Sequence, residues 1–148
     1  MLTSSSLVDG PSRMGPVNAS SKPPVRQDRR FRRNSVPLLV HGVVEYAVGG
    51  LTIGAPFFFN FDSDLATLTS ILLGAGIIVI GFATQAPTGV TRTLPIASHV
   101  VLDYVVSLFM IVVPFIFSFT DDTAATAYFV LIGVGYLLLT IATRYQEV

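Results

Sequence analysis

The chain has no cysteine and no tryptophan, and it is poor in charge. Without cysteine there is no disulfide framework and no thiolate metal site. Only 12% of its 148 residues are charged, where a soluble domain carries about 25%. From Val36 to Thr91 the only acidic, basic or histidine side chains are His41, Glu45, Asp62 and Asp64. Such a stretch cannot clothe a water-exposed surface. Also missing are a Ser/His/Asp set in a soluble pocket, an H-E-x-x-H helix, a phosphate-binding loop and a glycine-rich dinucleotide fingerprint. The chain is therefore expected to be non-enzymatic and to carry no cofactor. Residues 1–33 contain no apolar run long enough for a secretory signal core.

What the chain does have is one apolar design written twice. His41 to Phe61 reads HGVVEYAVGGLTIGAPFFFNF, and His99 to Phe119 reads HVVLDYVVSLFMIVVPFIFSF. At a shift of 58 positions, 9 of these 21 residues are identical, and the acids Glu45 and Asp103 coincide. Leu65 to Thr84 pairs with Ala124 to Thr143 at a shift of 59, with 7 of 20 identical. A fixed internal period sets the architecture before any other signal. Each unit holds two apolar segments, so the fold expected is an all-α membrane protein of two helical hairpins.

Four stretches reach the roughly 20 residues needed to cross a hydrocarbon core of about 30 Å: Val36 to Phe59, Leu65 to Thr84, Ile96 to Phe117 and Ala124 to Thr143. Helix is expected because lipid offers the backbone no hydrogen-bond partners. The runs do not alternate, which argues against a membrane barrel. The organisation expected is a disordered tail over 1–35, a hairpin over 36–84, a loop over 85–95, a hairpin over 96–143 and a short tail over 144–148. An even number of spans per unit makes the two hairpins parallel repeats.

Seven of the nine basic residues precede residue 34, and the others are Arg92 and Arg144. With four spans, all nine fall on one side. The opposite loops carry Asp62, Asp64, Asp121 and Asp122 and no base. Basic loops stay inside, so both termini are expected in the cytoplasm, with the chain integral to the cell membrane. Arg26, Arg29, Arg30, Arg32 and Arg33 form a cluster beside the first span. Its expected roles are topology and contact with anionic lipid. No nucleic acid partner is expected of a cluster with no fold to present it.

His41 and Glu45 are one helical turn apart, as are His99 and Asp103. The same stripe continues through Gly49, Thr52 and Pro56, and through Ser107, Met110 and Pro114. With Tyr46 and Tyr104 beside them, these pairs are the candidate intramembrane polar site. A charge within a span is costly, about 2.5 to 3.5 kcal/mol on insertion scales, and is a functional-site hypothesis by default. Two readings follow. In one, each acid hydrogen-bonds a histidine, a tyrosine or the backbone across the repeat interface and locks the bundle. In the other, the pairs relay protons or cations. Spans two and four hold no second acid to extend a path, which favours the lock. Two His-x-x-x-acid pairs with no further ligands are thin for a metal, and none is expected. Gly50, Gly54, Gly74 and Gly133, with Pro56 and Pro114, are the expected helix-packing positions. The Asp residues of the outer loops are expected to cap spans two and four.

These residues resemble the SPW-repeat membrane proteins of bacteria and archaea. That family has an acid early in the first span of each hairpin, a Ser-Pro-Trp near its outer end and a glycine in the second span. Here Glu45 precedes Pro56, and Asp103 precedes Pro114, by the same 11 positions. Gly74 and Gly133 supply the later glycines. Ala55-Pro56-Phe57 and Val113-Pro114-Phe115 stand in place of the tripeptide. The resemblance covers about residues 38 to 143 and implies a four-helix membrane bundle with no particular activity. The reading that follows is a small structural or accessory membrane protein, assembling with itself or with a membrane complex. The alternative is a small proton- or cation-coupled transporter or channel.

Overall fold

A computed structural model of the chain describes residues 36–145. The tail expected over 1–35, with its arginine cluster, lies outside the described residues. Four helices follow in order: α1 Leu38–Phe59, α2 Asp64–Ala83, α3 Ile96–Ile116 and α4 Thr123–Ala142. All four are long and apolar enough to cross a membrane. Each lies within three residues of its expected span at both ends.

The helix boundaries have local causes. Pro37 and Pro95 stand at the N-caps of α1 and α3 in extended conformation, where a missing N–H breaks no helical bond. Ser63, not an aspartate, caps α2 by accepting from the Ala66 N–H. The expected acid cap occurs only at α4, where Asp122 accepts from the Ala125 N–H at 2.9 Å. Its other carboxylate oxygen accepts from the Asp62 and Ser63 N–H groups at 2.8 and 3.0 Å. One carboxylate thus caps its own helix and ties the two outer loops together.

α1 pairs with α2, and α3 with α4, through glycine. A Cβ on Gly74 would lie 2.5 Å from the Gly49 carbonyl oxygen and 2.8 Å from the Ile53 nitrogen. A Cβ on Gly133 would meet the Ile111 nitrogen at 3.0 Å. The backbones approach this closely only without a side chain. Gly50 and Gly54 behave differently from expectation. Nothing lies within 4 Å of a Cβ built on Gly50, and one on Gly54 would meet only Phe58 of its own helix. The buried face of α1 runs through Gly49 instead.

Pro56 and Pro114 lie inside α1 and α3, close to their outer ends, and are buried. Pro56 cannot donate to the Thr52 carbonyl one turn back. The Ser70 hydroxyl of α2 donates to that carbonyl instead. In the second repeat the corresponding positions are Met110 and Phe129, both fully buried, and Phe129 has no hydroxyl to offer the Met110 carbonyl that Pro114 leaves without a helical N–H. Phe57 and Phe58 are 70% and 73% exposed, whereas Phe119 is 4% exposed. The phenylalanines therefore divide between the outer surface and the core.

A buried histidine–carboxylate cluster as the candidate functional site

The predicted stripes converge. His41, Glu45, Gly49, Thr52 and Pro56 are buried on α1. His99, Asp103, Ser107, Met110 and Pro114 are buried on α3. His41 and Glu45 come from the first hairpin and His99 and Asp103 from the second, yet all four meet in one cluster.

Its outer contacts obey the repeat. His41 Nδ1 lies 2.9 Å from Thr143 Oγ1, and His99 Nδ1 lies 2.9 Å from Thr84 Oγ1. Thr143 and Thr84 are equivalent positions, each one residue beyond the end of a hairpin's second helix. Each histidine therefore reaches the threonine of the other hairpin. The threonine hydroxyl hydrogens are already committed. Thr143 donates to the Leu139 carbonyl at 2.7 Å and Thr84 donates to the Ile80 carbonyl at 2.6 Å. A hydroxyl has one hydrogen to give, so each threonine oxygen accepts from Nδ1–H. This places the hydrogen of a neutral imidazole on Nδ1 and leaves its lone pair on Nε2.

The chain entering α1 and the chain leaving α4 are joined by the same logic. The Val36 N–H donates to the Ala142 carbonyl at 3.0 Å, and the Arg144 N–H donates to the Val36 carbonyl at 3.1 Å. At the related place, the Leu94 N–H donates to the Ala83 carbonyl and the Gln85 N–H to the Leu94 carbonyl, both at 2.8 Å.

Inside the cluster the symmetry fails. His41 Nε2 and His99 Nε2 lie 3.1 and 3.2 Å from Asp103 Oδ2. The Tyr136 hydroxyl donates to Asp103 Oδ1 at 2.9 Å, and the Tyr145 hydroxyl to Oδ2 at 3.2 Å. Among the described residues Glu45 has only His99 Nε2, 3.8 Å from its Oε2. The reason is compositional: Ile77 and Ala86 occupy the positions equivalent to Tyr136 and Tyr145 and offer no hydroxyl. The Glu45 carboxyl instead lies over Gly81, whose Cβ would stand 3.0 Å from Oε2. Glu45 Oε1 is buried with no hydrogen-bond partner among the described residues. His41 Nε2 likewise has none, because its close approach to Asp103 is off the line of a hydrogen bond.

Tyr145 closes the cluster from the C-terminal side. Its ring centroid is 5.5 Å from that of His41 and 6.4 Å from that of His99. Burial, reinforced by the nearby Asp103 carboxylate, pushes its phenol above the ordinary tyrosine range.

Two expected members stand apart. Tyr46 donates to the Thr88 carbonyl at 3.2 Å in the loop between α2 and α3, and Tyr104 is exposed. Tyr136, Tyr145, Thr84 and Thr143 take their places. The threonines carried a signal, since they are an identical pair in the repeat alignment. The tyrosines carried none, because neither has a counterpart in the first repeat.

The SPW repeat domain matches residues 39–143. The chain belongs to the SPW repeat family. The match runs from the start of α1 to the threonine after α4, so both hairpins of this SPW repeat protein, and all of its buried cluster except Tyr145, lie within the family domain. No curated protein and no solved structure matches the chain.

Proposed function

We propose that this SPW repeat protein is a small, non-enzymatic membrane protein of structural or accessory type. Its two hairpins are braced by the buried cluster, and it assembles with itself or with a membrane complex through its outward faces. The observation that carries the reading is the crossed pattern of the brace. His41 with Thr143, His99 with Thr84 and His41 with Asp103 all connect one hairpin to the other. Interhelical polar contacts of this kind hold membrane bundles together. Rocking one hairpin against the other, as an alternating-access carrier must, would break every one of them.

Assembly is supported by the outer surface. A Cβ on Gly50, Gly76 or Gly135 would meet nothing within 4 Å. Glycine inside a helix costs about 1 kcal/mol relative to alanine, and Gly76 and Gly135 are the same position in both repeats. Small outward residues suit close contact with another helix. The arginine balance supports cytoplasmic termini, since Arg92 and Arg144 both lie at the end of the bundle that holds the described chain ends. The arginine cluster over 26–33 would add anionic lipid to the partners.

A second reading is a proton- or cation-coupled transporter or channel. The two buried atoms without partners, Glu45 Oε1 and His41 Nε2, favour it.

Cross-linking in native membranes, with mass measurement in mild detergent, separates these readings. A stable oligomer or heteromeric complex, weakened by Gly76→Leu and Gly135→Leu, supports assembly. A monomer that carries protons or cations across liposomes, with flux lost in Glu45→Gln, supports the second reading.

A further inference from the structure

We propose that His41 Nε2, His99 Nε2 and the carboxylates of Glu45 and Asp103 form a four-coordinate site for a divalent first-row transition metal of the zinc class, at the junction of the two hairpins. Three observations lead there.

The first is convergence. Ligand atoms of His41, Glu45 and His99 lie within 4.8 Å of one another, and all three residues are buried. Asp103 Oδ2 stands outside that group of three, but at 3.1 and 3.2 Å from the two imidazole nitrogens it is in place to serve as the fourth ligand. Ligands bound at 2.0–2.2 Å in a tetrahedron stand about 3.3 Å apart along each edge. The Asp103–imidazole distances match that edge, whereas Glu45, 3.8 Å from His99 Nε2 and outside ion-pair distance of His41, has to move inward to complete it.

The second is orientation. Both imidazoles give their Nδ1 hydrogen to a threonine whose own hydrogen is bonded elsewhere. Metal-binding histidines almost always donate their other ring N–H in this way, which fixes the tautomer and aims the lone pair. The His99 lone pair faces Asp103 Oδ2 at 3.2 Å, whereas that of His41 points off the line to the same oxygen, 3.1 Å away. Facing lone pairs repel unless positive charge lies between them. Glu45 Oε1 and His41 Nε2, both buried and unpartnered, are the atoms such a charge would satisfy.

The third is charge balance. Two carboxylates with two neutral imidazoles carry −2, which a divalent ion cancels. A neutral site is what an apolar bundle interior tolerates. Mixed imidazole and carboxylate ligands select the zinc and iron class over magnesium or calcium. The hydroxyls of Tyr136 and Tyr145, which donate to Asp103, then hold its carboxylate in place.

The test uses the full chain, purified in mild detergent without a polyhistidine tag, stripped with chelator and titrated with Co2+ and then Zn2+. The result expected is about one ion per chain, the visible absorption of four-coordinate cobalt, its loss on adding zinc, and a rise in melting temperature with zinc. Glu45→Gln, whose carboxylate makes a single long contact, should fold and lose the cobalt absorption. Thr143→Val should weaken binding by roughly 10- to 100-fold, as loss of a partner to a ligating histidine does. A folded wild-type chain that gives no cobalt absorption would overturn the proposal and leave shared protons as the charge between the ligands. Cobalt binding that persists unchanged in Glu45→Gln and in His41→Ala with His99→Ala would overturn it too, by locating the ion elsewhere. Neither result depends on the oligomeric state, so the assembly reading stands or falls separately.

Discussion

His41 and Thr143 lie 102 residues apart and are joined by a 2.9 Å hydrogen bond from the imidazole Nδ1 to the threonine oxygen. That bond joins the first helix to the end of the last. Its repeat-related twin, His99 with Thr84, joins the third helix to the end of the second. The crossed pair ties each hairpin to the other.

Thr143→Val and Thr84→Val each keep side-chain volume and remove the acceptor, leaving a buried imidazole N–H unpaired. Each should lower stability by about 1–3 kcal/mol. Because both act on one cluster, the double variant should depart from the sum of the singles. Thermal unfolding in detergent, followed by circular dichroism, reads all three.

The two acids should differ in spite of their equivalence in the repeat. Asp103 has two imidazoles and two tyrosine hydroxyls around it, while Glu45 has one imidazole at 3.8 Å. Asp103→Asn should therefore destabilise the bundle clearly more than Glu45→Gln. Tyr136→Phe should cost about 1–3 kcal/mol by removing the donor to Asp103 Oδ1. Equal melting temperatures for the two acid variants would contradict the asymmetry.

Ser70 and Pro56 should show compensation. Ser70→Ala leaves the Thr52 carbonyl without a donor, because Pro56 has no N–H to offer it. The loss should be about 1–3 kcal/mol. Adding Pro56→Ala restores a helical N–H one turn on, so the double variant should regain part of that loss. A double variant less stable than Ser70→Ala alone would argue against it.

Gly74→Ala and Gly76→Ala differ by two positions and should behave oppositely. The first would drive a Cβ onto the Gly49 carbonyl and the Ile53 nitrogen, whereas the second meets nothing within 4 Å. Gly74→Ala should destabilise strongly. Gly76→Ala should be neutral or raise the stability of the isolated chain by up to about 1 kcal/mol. Melting curves in detergent decide.

Alkaline conditions should loosen the C-terminal clasp. The Tyr145 phenol is raised above its ordinary value of 10.0 by burial and by Asp103. The folded state therefore holds this proton more tightly than the unfolded one. Its stabilising contribution is complete below pH 10 and declines as the pH rises past that value. Wild type should lose stability above about pH 10 more steeply than Tyr145→Phe, as followed by melting temperature against pH.

The fold was legible because the repeat and the apolar lengths are global signals. The polar stripe was legible because the spacing of His41, Glu45, Gly49 and Thr52 matches a helical face. That two separate His–acid pairs would become one cluster was not, because pairing across hairpins depends on how the repeats pack. Gly50-x-x-x-Gly54 does not mark the packing of α1 inside the chain: the face that packs on α2 passes through Gly49, and Gly50 faces outward. Tyr136 and Tyr145 were invisible to repeat logic because they are departures from it, and the same departures leave Glu45 without a donor.

The most direct test of the crossed brace is through-space solid-state NMR on the isotopically labelled chain in lipid bilayers, read at the ring of His41 and the carboxyl carbon of Asp103. The account predicts a contact between them, with the His41 hydrogen on Nδ1 and slow to exchange with water. A His41 ring that shows no contact with Asp103 and exchanges freely with bulk water would contradict it.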